Sequence, residues 1–125
     1  MKLLLDTHVL LWWLDDPGQL SEPVAAAIRD VANVVYVSAA TAWEIVIKKA
    51  LGKLEAPDNL DEVLRECHFT PLPITVAHAL AVQSLPMHHR DPFDRILVAQ
   101  AIVEGMTIVT RDPKVLEYAV PNIVA

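Results

Sequence analysis

Three short apolar runs, KLLL at 2–5, VVYV at 34–37 and MTIVT at 106–110, are each followed within a few residues by a polar residue able to open a helix. Runs this short and apolar read as strands buried on both faces, as in parallel sheets sandwiched between helices. The segments between them read mostly as helices. Thr7 is placed to cap a helix through VLLWWL, and Ser21, backed by Glu22 and Pro23, opens SEPVAAAIRDVA. Ser38 caps a helix from about 40 to 51 that Gly52 stops. Asn59 or Asp58 caps LDEVLREC, where Leu60, Val63, Leu64 and Cys67 share a face. FTPLPI, at 69–74, has β character, but its prolines suit an edge strand. Thr75 opens VAHALAVQSL, and a further helix over about 92–104 ends before Gly105. RDPKVLEYA holds a turn and a short helix, and NIVA adds a last strand.

This alternation predicts an α/β fold, a three-layer α/β/α sandwich around a central parallel sheet. The 125 residues suffice for one domain with one good core, spanning 1–125. A hydrophobic content of 54% with three glycines excludes a disordered chain. The lone Cys67 excludes an intramolecular disulfide, and no Cys/His cluster has zinc spacing. A reducing compartment, the cytoplasm, is the expectation. MKLLL imitates the start of a secretion signal, but Asp6, Thr7 and His8 interrupt it and no small-residue cleavage site follows before Asp15 and Asp16. No stretch reaches the roughly 18 to 20 apolar residues that span a bilayer.

The net charge of −6 speaks against a nucleic-acid partner, unless the carboxylates gather to hold cations that reverse the local field. Their positions favour gathering. Parallel sheets bind ligands beyond the carboxyl ends of their strands. Asp6 stands at the end of the first strand, and Asp112 lies two residues past MTIVT. Asp94 lies in the first turn of its helix and reaches the same rim if a long loop crosses over the strand ends. Glu44 is a carboxylate beside the apolar stripe of AATAWEIVIKKALGKL; alone, it would read as an i,i+4 partner of Lys48. Asp91 reads as a helix cap ahead of Pro92, and capping alone would also account for Asp94.

Four acids from four elements are costly to cluster without a cation, because like charges at short range oppose one another. Mg2+ or Mn2+ suits an all-oxygen site and leaves room for phosphate oxygens and water. The chemistry implied is metal-assisted hydrolysis of a phosphodiester, with no covalent nucleophile. Thr7 and Thr110 are placed to tune the ligands or touch a phosphate. Arg90, Arg95 and Arg111 are placed to grip a nucleic-acid backbone or, equally, to pair with a neighbouring Asp.

LLLDTHVLLWWL, SAATAWEIVIKKALGKL, HHRDPFDRILVAQA and IVTRDPKV together resemble the four motif regions of PIN-domain proteins, in particular the VapC type of toxin from bacterial toxin–antitoxin pairs. The resemblance runs through the whole chain. It implies a PIN fold, commonly dimeric, and an endoribonuclease dependent on Mg2+ or Mn2+, acting on a cellular RNA and blocked by a cognate antitoxin. It carries the family's acidic quartet onto Asp6, Glu44, Asp94 and Asp112, of which the last is the position that varies. Asp91 becomes an auxiliary.

Other features read more plainly. His88 and His89 point apart in most backbones and suit loop positioning better than metal binding. His8 reads as packed or partly exposed. Trp12, Trp13 and Trp43 suit core or dimer contacts better than base stacking. A receiver-type phosphoacceptor would need an Asp after the central strand, where Ser38 stands, and an Asp-nucleophile phosphatase would need D-x-D where the chain has DTH. A PIN-like binding module without catalysis is opposed by the intact quartet.

Overall fold

The computed structural model describes residues 1–125 and forms a five-stranded sheet flanked by seven helices. In chain order these are β1 (Lys2–Leu5), α1 (Thr7–Asp15), α2 (Glu22–Arg29), β2 (Val34–Ser38), α3 (Ala39–Ala50), α4 (Leu60–Glu66) and β3 (Thr70–Leu72). They continue with α5 (Val76–Ala81), α6 (Pro92–Glu104), β4 (Thr107–Thr110), α7 (Pro113–Leu116) and β5 (Asn122–Val124). The strand order is β3-β2-β1-β4-β5, and every pairing is parallel.

Side-chain alternation along the strands builds the layers. Leu3, Leu5, Val35, Val37 and Val109 pack on one face with Val9, Leu10, Val24 and Ile28 from α1 and α2. Leu4 and Ile108 face the other way, onto Leu97, Val98 and Ala101 of α6 and Val115 of α7. Leu3, Leu4 and Leu5 are all fully buried, as a strand covered on both faces requires. The three-layer α/β/α sandwich is as expected.

Most helix signals act as expected. Ser38 caps α3 by accepting from the Ala40 N–H, and Thr75 caps α5 in a reciprocal box with His78. Asp91 caps α6 ahead of Pro92. Gly105 ends α6 with a left-handed φ of 65°, a conformation open to glycine at no steric cost. The prolines of FTPLPI do leave β3 at the sheet edge.

Three expectations need correction. The cap of α1 is Asp6, not Thr7: its carboxylate accepts from the Val9 N–H. The second helix stops at Arg29, because the Asp30 carboxylate takes the Ala32 N–H and the Asn33 side chain takes the Ala27 carbonyl. Ser21 stands at its start without a capping bond, since its hydroxyl donates to the Val124 carbonyl at 3.2 Å. The segment after Thr75 is α5 followed by a separate 3-10 turn at Val82–Ser84. No helix is long and apolar enough to cross a membrane.

Candidate metal centre

From β1 the chain builds outward through β2 to β3, then returns to the other side of β1 with β4 and β5. The strand order therefore reverses between β1 and β4, and such a switch point leaves a crevice beyond the strand ends. Asp6 is the first residue past β1. It is buried, and besides capping α1 it accepts the Thr110 hydroxyl at 2.5 Å from the end of β4. Burial raises its pKa above the ordinary carboxylate value, and the hydrogen bonds from Thr110 and Val9 offset only part of that rise.

Glu44 reaches the same crevice from α3. Its carboxylate is buried and bonded at both oxygens, Oε1 to the Thr7 hydroxyl at 2.5 Å and Oε2 to Lys48 Nζ at 2.5 Å. The hydrogen bond to Glu44 raises the Lys48 pKa despite an opposing burial effect. Glu44 thus makes the i,i+4 pair and also faces the crevice. Thr41, buried one turn earlier at 3.5 Å from the Thr7 hydroxyl, is a member that the sequence did not single out.

The start of α6 supplies two acids. Asp91 Oδ1 accepts from the N–H groups of Phe93 and Asp94 at 2.8 and 3.4 Å. Asp94 projects into the crevice, and its pKa is pushed up to about 7, first by burial and then by the Asp91 carboxylate, with Glu44 and Asp6 adding and His89 opposing. Asp112 completes the set. Burial pushes its pKa up, but the Lys114 N–H, His89 and the Val115 N–H outweigh that and hold it below the ordinary value. Its own N–H donates to Thr110 Oγ1 at 3.0 Å.

His89 stays in the loop before α6, as expected, but it also reaches the acids. Its Nε2 lies 2.9 Å from Asp112 Oδ2 and 3.0 Å from Asp94 Oδ2, so the three side chains form one compact group. The only hint in the sequence was its place in the loop just ahead of Asp91. The crevice is a cavity of about 350 Å³ whose walls include five carboxylates, Asp6, Glu44, Asp91, Asp94 and Asp112, against two permanent cations, Lys48 and Arg111. His8 and Trp12 complete one wall with Arg111, so His8, though exposed, borders the site.

The donor set fits a hard divalent cation. Asp94 is raised to about 7, has no backbone or hydroxyl donor of its own, and faces three other carboxylates. A cation bound by oxygens would remove that repulsion.

The arginines divide. Arg95, expected to grip a nucleic-acid backbone or, equally, to pair with a neighbouring Asp, is buried instead. Its Nη1 donates to the carbonyls of Pro86 and His89 and to the Tyr118 hydroxyl, and its Nη2 to the Val82 carbonyl at 3.2 Å. A guanidinium spent on three carbonyls stabilises the loop before α6 and is not offered to a phosphate. Arg111 does border the crevice, lying 4.3 Å over the Trp12 ring and donating to the Ala125 and Gln19 carbonyls. Arg90 is exposed outside the crevice. Trp43 is 61% exposed and meets Phe93 edge to face at 5.3 Å, so it is not a core residue.

The PIN domain model matches residues 3–121. Ribonuclease VapC22 of Mycobacterium tuberculosis is 33% identical over 127 residues, covering 96% of this chain and 94% of that one. Ribonuclease VapC16 of the same organism is 40% identical over 57 residues, covering 42% and 40%. Among solved structures, VapBC2 from Rickettsia felis, bound to a DNA fragment from its promoter, superposes with a TM-score of 0.73 at 14% identity over 100% of this chain and 99% of that one. FitAcB from Neisseria gonorrhoeae gives a TM-score of 0.64 at 24% identity over 97% and 96%. With the matched model spanning nearly all residues and the VapC22 likeness running end to end, the chain belongs to the PIN-domain family.

Proposed function

We propose that the protein is a metal-dependent endoribonuclease, the toxin of a toxin–antitoxin pair, whose centre is built from Asp6, Glu44, Asp94 and Asp112. The observation that carries this reading is the convergence of these acids, from four separate elements, on the crevice at the sheet's switch point. The ribonuclease names of VapC22 and VapC16 support the activity, and the VapBC and FitAcB structures support an antitoxin partner. Homodimerisation and a cytoplasmic RNA target belong to the same reading. Trp43 and Val46 on α3 leave apolar surface exposed for protein partners.

Asp6 and Asp94 would hold Mg2+ or Mn2+ most directly, with Glu44 and Asp112 on either side and Asp91 as an auxiliary. When bound, the ion supplies positive charge beside the scissile phosphate and lowers the pKa of its water. The protein's own groups do the rest. Thr110 and Thr7 keep Asp6 and Glu44 turned toward the crevice by donating to them. Lys48 and Arg111 place fixed positive charge where a phosphate backbone would enter.

Cleavage of a structured-RNA pool by purified protein with Mg2+, Mn2+ or EDTA tests the reading, alongside Asp6→Asn and Asp94→Asn. Discrete products that require the metal and vanish in both variants are expected. Equal activity in the variants would remove the site assignment, and metal binding without cleavage of any RNA would favour a silent binding module.

A further inference from the structure

His89 is held at each of its hydrogen-bonding atoms. Its backbone N–H donates to the Tyr118 hydroxyl at 3.0 Å, and its carbonyl accepts from Arg95 Nη1 at 3.4 Å. Arg95 Nη1 also donates to the Tyr118 hydroxyl at 3.1 Å, closing a brace between α6 and the segment after α7. The ring is fixed as well: Nδ1 accepts the Asp91 N–H at 3.2 Å while Nε2 faces Asp112 and Asp94.

This arrangement selects one tautomer. A backbone N–H only donates, so the nitrogen it meets must present a lone pair, and Nδ1 therefore carries no proton. The neutral ring then carries its proton on Nε2, aimed at the carboxylates. A nitrogen that carries a proton has no lone pair to give a cation. Metal-ligating histidines show the reverse arrangement, with the far nitrogen donating to a carbonyl or carboxylate.

We propose that His89 is a positioning residue of the metal centre, a fixed N–H donor that holds Asp112 and Asp94 in place, and is not itself a ligand. The inference rests on reading the crevice as a metal centre. Without the His89 donor, Asp112 Oδ2 has no remaining side-chain partner, and the carboxylate is tethered only by the Lys114 and Val115 N–H groups of its own turn. Asp94 loses the N–H that lies 3.0 Å from its Oδ2.

Calorimetric titration of the full chain with Mn2+ alone, for wild type, His89→Ala and His89→Gln, tests the role, together with pulsed EPR of the Mn2+-loaded wild type. The glutamine amide N–H can stand where the imidazole Nε2–H stands. His89→Ala is expected to bind Mn2+ about 10-fold or more weakly, as loss of an outer-shell partner does, and His89→Gln to recover most of the affinity. The wild-type EPR should show no directly coordinated nitrogen. Directly coordinated nitrogen would overturn the proposal even if the alanine variant failed to fold, as would unchanged affinity in His89→Ala or no recovery in His89→Gln. Wild-type protein that binds no Mn2+ would overturn the metal-centre reading, and this proposal with it.

Discussion

Thr110 on β4 donates its hydroxyl to Asp6 beyond β1 at 2.5 Å, and the same oxygen accepts the Asp112 N–H at 3.0 Å. One buried hydroxyl therefore couples two acids separated by most of the chain. Thr110→Val keeps the shape and removes both bonds. It should cost about 1 to 3 kcal/mol in urea denaturation, the range for leaving buried polar groups unpaired, and should weaken Mn2+ binding. Thr110→Ser should restore the metal affinity; its failure to do so would show that the hydroxyl alone does not hold the two acids.

Asp94→Asn should separate stability from activity. Asp94 stands among Asp91, Glu44 and Asp6, and its carboxyl resists ionisation up to about pH 7. Replacing it by a neutral amide removes repulsion, so the metal-free variant should melt at a higher temperature than wild type. Cleavage of RNA should be lost. A melting temperature below that of wild type would mean that Asp94 is stabilising without a metal.

The same carboxyl sets a pH dependence. Its value is raised in the folded protein from 3.8 to about 7, so between these limits the folded state binds the proton and the unfolded state has released it. Stability linked to this group is full below pH 3.8 and is lost as pH climbs through about 7. Asp6, also raised, acts in the same direction. Asp112, lowered, acts oppositely, but its window lies below the ordinary carboxylate value. Metal-free protein should therefore melt higher at pH 5 than at pH 8, and saturating Mg2+ should narrow or invert the difference. A melting temperature that rises from pH 5 to pH 8 without metal would contradict the site's electrostatics.

Arg95 should behave as a structural residue. Its buried guanidinium serves the Pro86, His89 and Val82 carbonyls and the Tyr118 hydroxyl. Arg95→Ala empties the space of a buried side chain and takes the guanidinium donor from the Pro86 and His89 carbonyls, and should cost on the order of 3 kcal/mol or more in urea denaturation. Arg111→Ala, at the crevice wall, should cost less stability and should weaken RNA binding more, as read by filter binding at low salt. The opposite ranking would return Arg95 to the RNA-facing surface.

Much of this protein was written in local signals. Apolar runs such as KLLL and VVYV, the caps Ser38, Thr75 and Asp91, and the stop at Gly105 each act over a few residues. The side chains and backbone involved are already neighbours in the chain, so pattern alone identifies most elements and their parallel arrangement. The acids were legible for a related reason: Asp6 and Asp112 follow strands, and strand ends share one rim.

Only the tertiary structure decided how those acids are bonded, because that is a competition among donors brought together by the crossover connections. Thr7 could have capped α1, but Asp6 took the Val9 N–H and left the Thr7 hydroxyl to Glu44. Arg95, beside Asp94 in sequence, turns away into carbonyls supplied by the preceding loop and the 3-10 turn. His89 gained its place between Asp94 and Asp112 through Tyr118, 29 residues further along the chain. Spacing in the sequence carries no record of such contacts, since each exists only once the sheet has ordered its strands.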